Sequence, residues 1–263
     1  VFVARLDAAG DSLRVGTPRA VATRPGYDNQ PAFTVEGTDL VWTSIRGGQA
    51  DVYRREVDKG AGPASQLTDT PESEYSPTPR PDAQMPLVRV ESDGRQRLWA
   101  YTAGGTPVKP VFPDIDSVGY HAWLDSSRVA MFVLGSPPTL HVANVSTGAD
   151  TVVAERIGRS IQSRPGKTAV SFVQVAADST TSIHILDGTT LHTRHLTPTL
   201  GNGASGDHAW TPDGHLLMAR GTTLMAWHAD TDGWRRVAEL DSLQVSRLAV
   251  SPAGDRLAIV ADE

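Results

Sequence analysis

Several residues of this 263-residue chain have the types and spacing that could do chemistry. Ser160 stands in Gly158-Arg159-Ser160-Ile161-Gln162, which has a serine but lacks the second glycine of a G-x-S-x-G nucleophile elbow. It is read as a turn or strand serine, and no catalytic residue is assigned. Of the eight histidines, His192 and His195 are the closest pair. Residues three apart on a strand face opposite ways, so these two cannot chelate together, and no H-E-x-x-H is present. His121 and His208 each precede Ala-Trp, in Tyr120-His121-Ala122-Trp123 and Asp207-His208-Ala209-Trp210. The absence of cysteine removes disulfides, thiolate metal sites and thiol nucleophiles. Asn144-Val145-Ser146 fits a glycosylation sequon and is taken as chance.

The elements that must position these residues come from an internal repeat. Asn29-Gln30-Pro31-Ala32-Phe33 leads to a turn, then Asp39-Leu40-Val41-Trp42-Thr43-Ser44, a Gly-rich turn, and Asp51-Val52-Tyr53-Arg54. Five weaker copies follow. Val35, Pro81, Asp125, Pro165, Pro212 and Pro252 mark the same turn in each, about 40–47 residues apart, the period of a four-stranded propeller blade. The last copy ends after two strands, and the chain opens on what reads as a third strand (Val1 to Asp7) and a fourth from Leu13. The expectation is an all-β, six-bladed β-propeller with four-stranded antiparallel blades. Its last blade is closed by N-terminal plus C-terminal strands, since an open ring would leave unpaired edges. One domain spans 1–263, with blades near 29–73, 74–117, 118–157, 158–205, 206–243, and 244–263 with 1–28.

In such a ring the two positions just before each inner strand surround one mouth of the central channel. Aligning the copies places Gln30, Tyr120, His121, Ser160, Asp207, His208 and Arg247 there, with Glu74 and Tyr75 at the edge. Asp207, Arg247 and Tyr120 are expected to be close neighbours. A polar ligand, a peptide terminus or a cation would suit this set. No cofactor and no metal ligand is assigned. A divalent cation held by His121, Asp207 and His208 in the central channel is the alternative. The tryptophans are read as packing between blades.

Thr43-Ser44-Ile45-Arg46-Gly47-Gly48 with Asp51-Val52-Tyr53 resembles the signature of TolB-like (WD-repeat-like) six-bladed propellers. Thr211-Pro212-Asp213-Gly214 and Ser251-Pro252-Ala253-Gly254 resemble their Pro-Asp-Gly turn, and Leu67-Thr68 and Leu196-Thr197 their outer-strand mark. The resemblance spans the chain, although the helical N-terminal domain of TolB proper is missing. It is specific for the repeat family and says little of function; a rigid ring of blades presenting irregular loops suits recognition, so the expectation is a non-catalytic recognition module that binds a protein partner or small ligand at the channel mouth, as the sensor part of a longer bacterial protein. Two alternatives stand beside it: a metal-dependent lactonase- or lyase-type propeller, and a gating domain of a larger hydrolase or kinase.

The net charge of −6 and the lack of any Lys/Arg run argue against nucleic acid. Lys59, Lys109 and Lys167 are the only lysines. No apolar stretch is long enough for a membrane span. The chain opens within a strand and carries no signal peptide. We therefore expect a monomeric piece of a longer, extracytoplasmic product, with no membrane insertion.

Overall fold

The computed structural model describes residues 1–9, 12–58, 62–201 and 206–262. Lys59 and Glu263, named above, lie outside them. No helix occurs among the described residues, and none could therefore cross a membrane. Six antiparallel sheets follow one another along the chain. The innermost strands are Asp28–Phe33, Ser73–Tyr75, Val118–Trp123, Ile157–Ser163, His208–Trp210 and Gln244–Val250. The innermost strands of the third to sixth blades and of the first touch in succession, including Gln244–Val250 with Asp28–Phe33, and the second blade completes the ring through Ser73–Tyr75 with Gln49–Glu56 and through Leu87–Val90 with Val118–Trp123.

The closing blade is composite, as the wrapped repeat requires. Gln244–Val250 pairs with Arg256–Asp262, which pairs with Phe2–Ala9 in the register Phe2 to Ile259 and Ala4 to Leu257. Ser12–Val15 and the short Arg19–Ala20 both pair with the far edge of Phe2–Ala9. The Val1 nitrogen lies 2.7 Å from the Ala22 carbonyl oxygen, beside the edge of this sheet. The hairpin from Asp39–Arg46 to Gln49–Glu56 turns on Gly47 (φ 60°) and Gly48 (φ 87°). Two successive left-handed residues form a turn whose twist matches the strands it joins.

The core lies in the seams between blades. Second strands sit between two neighbours, so both of their faces are apolar. In the fourth blade Val170 and Phe172 pack toward the third, while Ala169 and Val173 pack toward the fifth. Each fully buried side chain of this size contributes about 1.5–3 kcal/mol. Thr68 shows why a threonine marks an outer strand. It is fully buried, and its hydroxyl accepts the Val52 N–H at 2.9 Å.

Candidate functional site

The channel-ring positions lie within the innermost strands rather than just before them, apart from Asp207. Most of these strands carry a bulge there. Register slips between Asn29 and Ala32, Val118 and Tyr120, Ile157 and Ile161, and Val245 and Arg247. A bulge bends its strand and re-aims the side chains beside it. Gln30 (φ 59°) and Ser76 (φ 55°), at matching positions in the first and second blades, are left-handed without being glycine. That conformation carries strain for a side-chain-bearing residue. At Gln30 it is held by two bonds, as its Oε1 accepts from the Thr43 hydroxyl (3.0 Å) and from the Ser76 N–H (2.8 Å).

The channel encloses a cavity of about 450 Å³, within the size range of ligand sites. Pro79, Pro165, Pro212 and Pro252 line one end. Gln30, Tyr120 and Arg159 line the middle, and also a second pocket at the opposite end with Tyr27 and Tyr75. Tyr27 lies within the electrostatic reach of Arg247, Tyr120, Tyr75 and Arg159, and burial pushes its phenol up. The Arg247 guanidinium sits 5.2 Å from the centre of the Tyr120 ring. Its Nε is 3.2 Å from Asp207 Oδ2. The expected meeting of Asp207, Arg247 and Tyr120 is therefore present.

Asp207 is almost wholly buried. Burial pushes its carboxyl up to about 6, against the opposing pull of Arg247 and the Ser160 hydroxyl. For Arg247 burial disfavours the charge, but Asp207, Tyr120 and Tyr27 outweigh it and raise the pKa. The two groups are close without a well-aligned hydrogen bond, and neither Asp207 Oδ2 nor Arg247 Nε has one from any other partner.

Ser160, Asp207 and His208 form a chain of hydrogen bonds. His208 Nδ1 is 2.9 Å from the Gly206 carbonyl, which can only accept, so the proton sits on Nδ1. Nε2 then accepts from the Ser171 hydroxyl at 2.7 Å, and Trp210 Nε1 donates to Ser171 Oγ at 2.8 Å. Ser160 Oγ lies 3.1 Å from Nδ1 and donates to Asp207 Oδ1 at 3.3 Å. His208 thus offers Ser160 a donor, not a base, and this arrangement does not activate a nucleophile. Burial holds the imidazole down at about 4.

Two of the expected mouth residues are placed elsewhere. His208 is fully buried in the seam between the fourth and fifth blades, and both its nitrogens are engaged. Glu74 is also fully buried, but on the first-blade side of its strand. It accepts from Tyr101 Oη at 2.9 Å and from Thr70 Oγ1, near Asp51. Burial raises the carboxyls of both Glu74 and Asp51. Glu74 faces the seam because neighbouring strand residues point to opposite faces. No group of three or more His, Asp or Glu side chains able to hold a metal converges among the described residues. Asp207 faces a guanidinium instead.

His121 does line the channel, is more than nine-tenths buried, and has no hydrogen bond at either nitrogen. Burial, with the nearby Arg80 charge, holds it down at about 3. Arg159 and Tyr27 were missed from the sequence. The available signal was their position: Arg159 directly precedes the ring residue Ser160, and Tyr27 directly precedes the first inner strand.

No sequence-family model matches the chain, and no curated protein matches it in sequence. Its fold is shared with solved structures. One assigned to TolB of Agrobacterium tumefaciens is 14% identical, with a TM-score of 0.75, over 100% of this chain and 98% of that one. TolB of Acinetobacter baumannii is 13% identical, with a TM-score of 0.63, over 100% of this chain and 64% of its own. A puromycin-hydrolyzing peptidase of Mycobacterium tuberculosis is 16% identical, with a TM-score of 0.54, over 69% of this chain and 30% of that one. The chain is a six-bladed propeller of TolB-like fold.

Proposed function

We propose that this propeller is a recognition module that takes an acidic segment of a protein partner at the tyrosine-lined end of its channel. The charge inversion there carries the reading. The whole chain has a net charge of −6. Yet the charged side chains lining the cavity are Arg159 and Arg247, and the carboxylate beside them is Asp207, itself facing Arg247. A recess lined by arginines in a negative molecule concentrates field lines and draws an anionic group inward. Tyr27, Tyr75 and Tyr120 add apolar ring faces with hydroxyl donors, a combination common in recognition surfaces. The rigid blades hold these groups without using flexible loops.

The module is best understood as an extracytoplasmic part of a longer bacterial protein. A second reading, as the gating propeller of a hydrolase, is favoured by the likeness to part of the Mycobacterium tuberculosis peptidase. A hydrolase sequence in the same gene product would move it to first place.

Fluorescence anisotropy with labelled aspartate-rich, lysine-rich and neutral hexapeptides tests the proposal. The acidic peptide is expected to bind at least tenfold more tightly than the other two, and to weaken as salt rises from 50 to 300 mM. Removing an arginine that makes charged hydrogen bonds costs about 1.5–3 kcal/mol, so Arg247→Ala should lower affinity about tenfold or more. Equal binding of all three peptides would overturn the reading.

A further inference from the structure

Arg247 is already matched by a charge of the protein's own. Asp207 Oδ2 lies 3.2 Å from Arg247 Nε, yet both atoms are buried without a hydrogen bond. A guanidinium normally meets a carboxylate through two aligned bonds. This pair has the charge contact without the alignment, so neither group is fully satisfied. The carboxyl's other oxygen is held from behind by the Ser160 hydroxyl at 3.3 Å. Ser160 Oγ in turn accepts from the His208 backbone N–H at 3.4 Å and lies 3.1 Å from Nδ1, whose proton it shares with the Gly206 carbonyl. Asp207 is thus locked in place and can respond mainly by gaining a proton.

We propose that Asp207 is a built-in counter-ion for Arg247, and that an incoming carboxylate takes over the guanidinium when Asp207 accepts a proton, so that anion capture is coupled to proton uptake. This rests on the anion-binding reading of the channel. The exchange balances in charge. The ligand brings one negative charge, the proton cancels that of Asp207, and Arg247 keeps one partner throughout. The released Oδ2 becomes a hydroxyl that can donate to the ligand carboxylate, filling the missing bond.

The surrounding groups agree with this direction. Tyr120 of the third blade and Tyr27 before the first face Arg247, and Tyr75 of the second lies near Tyr27. Arg159 adjoins Ser160, and Arg220 of the fifth blade lines the crevice that Asp207 shares with Arg247. None of these neighbours is a second carboxylate. His208 and His121 are held neutral by burial and do not gain charge near neutral pH. The burial that raises the Asp207 carboxyl to about 6 puts the exchange in the mildly acidic range.

The experiment measures the dissociation constant of a labelled tetra-aspartate peptide from pH 7.5 to 5.5, at fixed ionic strength, for the wild type, Asp207→Asn and Ser160→Ala. The peptide's carboxylates stay ionised across this range. The wild type should bind about tenfold more tightly at pH 5.5 than at pH 7.5. Asp207→Asn should bind tightly throughout with a flat profile. Ser160→Ala removes a donor to the ionised carboxyl and should move the midpoint to higher pH, which keeps the test decisive if Asp207→Asn fails to fold. A wild-type profile that is flat and matches Asp207→Asn would overturn the coupling while leaving anion binding intact. A variant slope equal to the wild type's would also overturn it. No binding by any protein at any pH would instead sink the underlying reading.

Discussion

The third and fifth blades carry the same triplet at the same place, His121-Ala122-Trp123 and His208-Ala209-Trp210. The register is also shared, with His121 opposite Met131 and His208 opposite Met218. An arginine of the preceding blade covers each tryptophan: Arg80 lies 3.6 Å from the Trp123 ring and Arg164 lies 4.7 Å from that of Trp210. The polar partners differ. At the fifth blade Ser171 serves both His208 and Trp210, and Ser160 and Gly206 serve Nδ1. At the third blade the facing strand Leu87–Val90 brings Val88 to the seam and has no hydroxyl. Both nitrogens of His121, Trp123 Nε1 and Ser76 Oγ are left without partners. Repetition copies the backbone and the large residues, while one small polar residue decides whether the seam is locked.

The comparison can be broken at its locked side first. Ser171→Ala orphans both His208 Nε2 and Trp210 Nε1. Each unsatisfied buried group costs about 1–3 kcal/mol, so a loss of about 2–6 kcal/mol and a midpoint fall of roughly 5–20 °C are expected in thermal unfolding. A fall below about 2 °C would mean that the network does not hold the seam.

Acid comes next. The folded-state values of His121 (about 3) and His208 (about 4) lie below the ordinary 6.5. Unfolding then takes up protons, so their stabilisation is complete above pH 6.5 and drains away as pH falls toward 4. Two pH units correspond to about 2.7 kcal/mol per histidine as an upper bound. Asp207 has the opposite sign, because its raised carboxyl favours the folded state as pH falls from about 6 toward 4. His121→Leu should therefore remove part of the acid loss, seen as a shallower decline of midpoint between pH 7 and 5. An unchanged slope would contradict burial as the cause.

At pH 7 the same substitution sharpens the contrast. His121→Leu deletes a group with no bonds to lose and should change stability by less than about 1 kcal/mol, or raise it. His208→Leu should cost about 3 kcal/mol, because the Ser171 hydroxyl loses the acceptor Nε2 and the Gly206 carbonyl loses the Nδ1 donor. Equal urea midpoints for the two variants would erase the distinction. The smallest effect expected is from Arg80→Ala and Arg164→Ala, about 0.5–1 kcal/mol each from the lost cation–ring contact. The larger loss belongs to Arg80, which lies closer.

The fold was legible because a propeller repeats. Six turns at one spacing, and a final copy that only the N-terminal strands could complete, leave few other architectures. Asp207, Arg247 and Tyr120 were also legible, since equivalent strand positions become neighbours in a ring. Alternation failed at the bulges. Between Ile157 and Ile161 the inner strand holds more residues than its partner, so counting by twos cannot say where Arg159 points. Glu74 shows the reverse error: it adjoins a ring position in sequence but faces the first blade. The unequal fates of His121 and His208 depend on a residue of the neighbouring blade, which no single copy of the repeat contains.

Charge reversal at Arg159 asks whether a positive channel end recognises acidic groups. Arg159 is exposed and outside the buried network, so Arg159→Glu should keep the wild-type melting temperature. Affinity for aspartate-rich and lysine-rich hexapeptides would be measured side by side at low salt. At least a tenfold loss is expected for the acidic peptide, with a gain for the basic one. Unchanged affinity for both peptides would contradict such recognition.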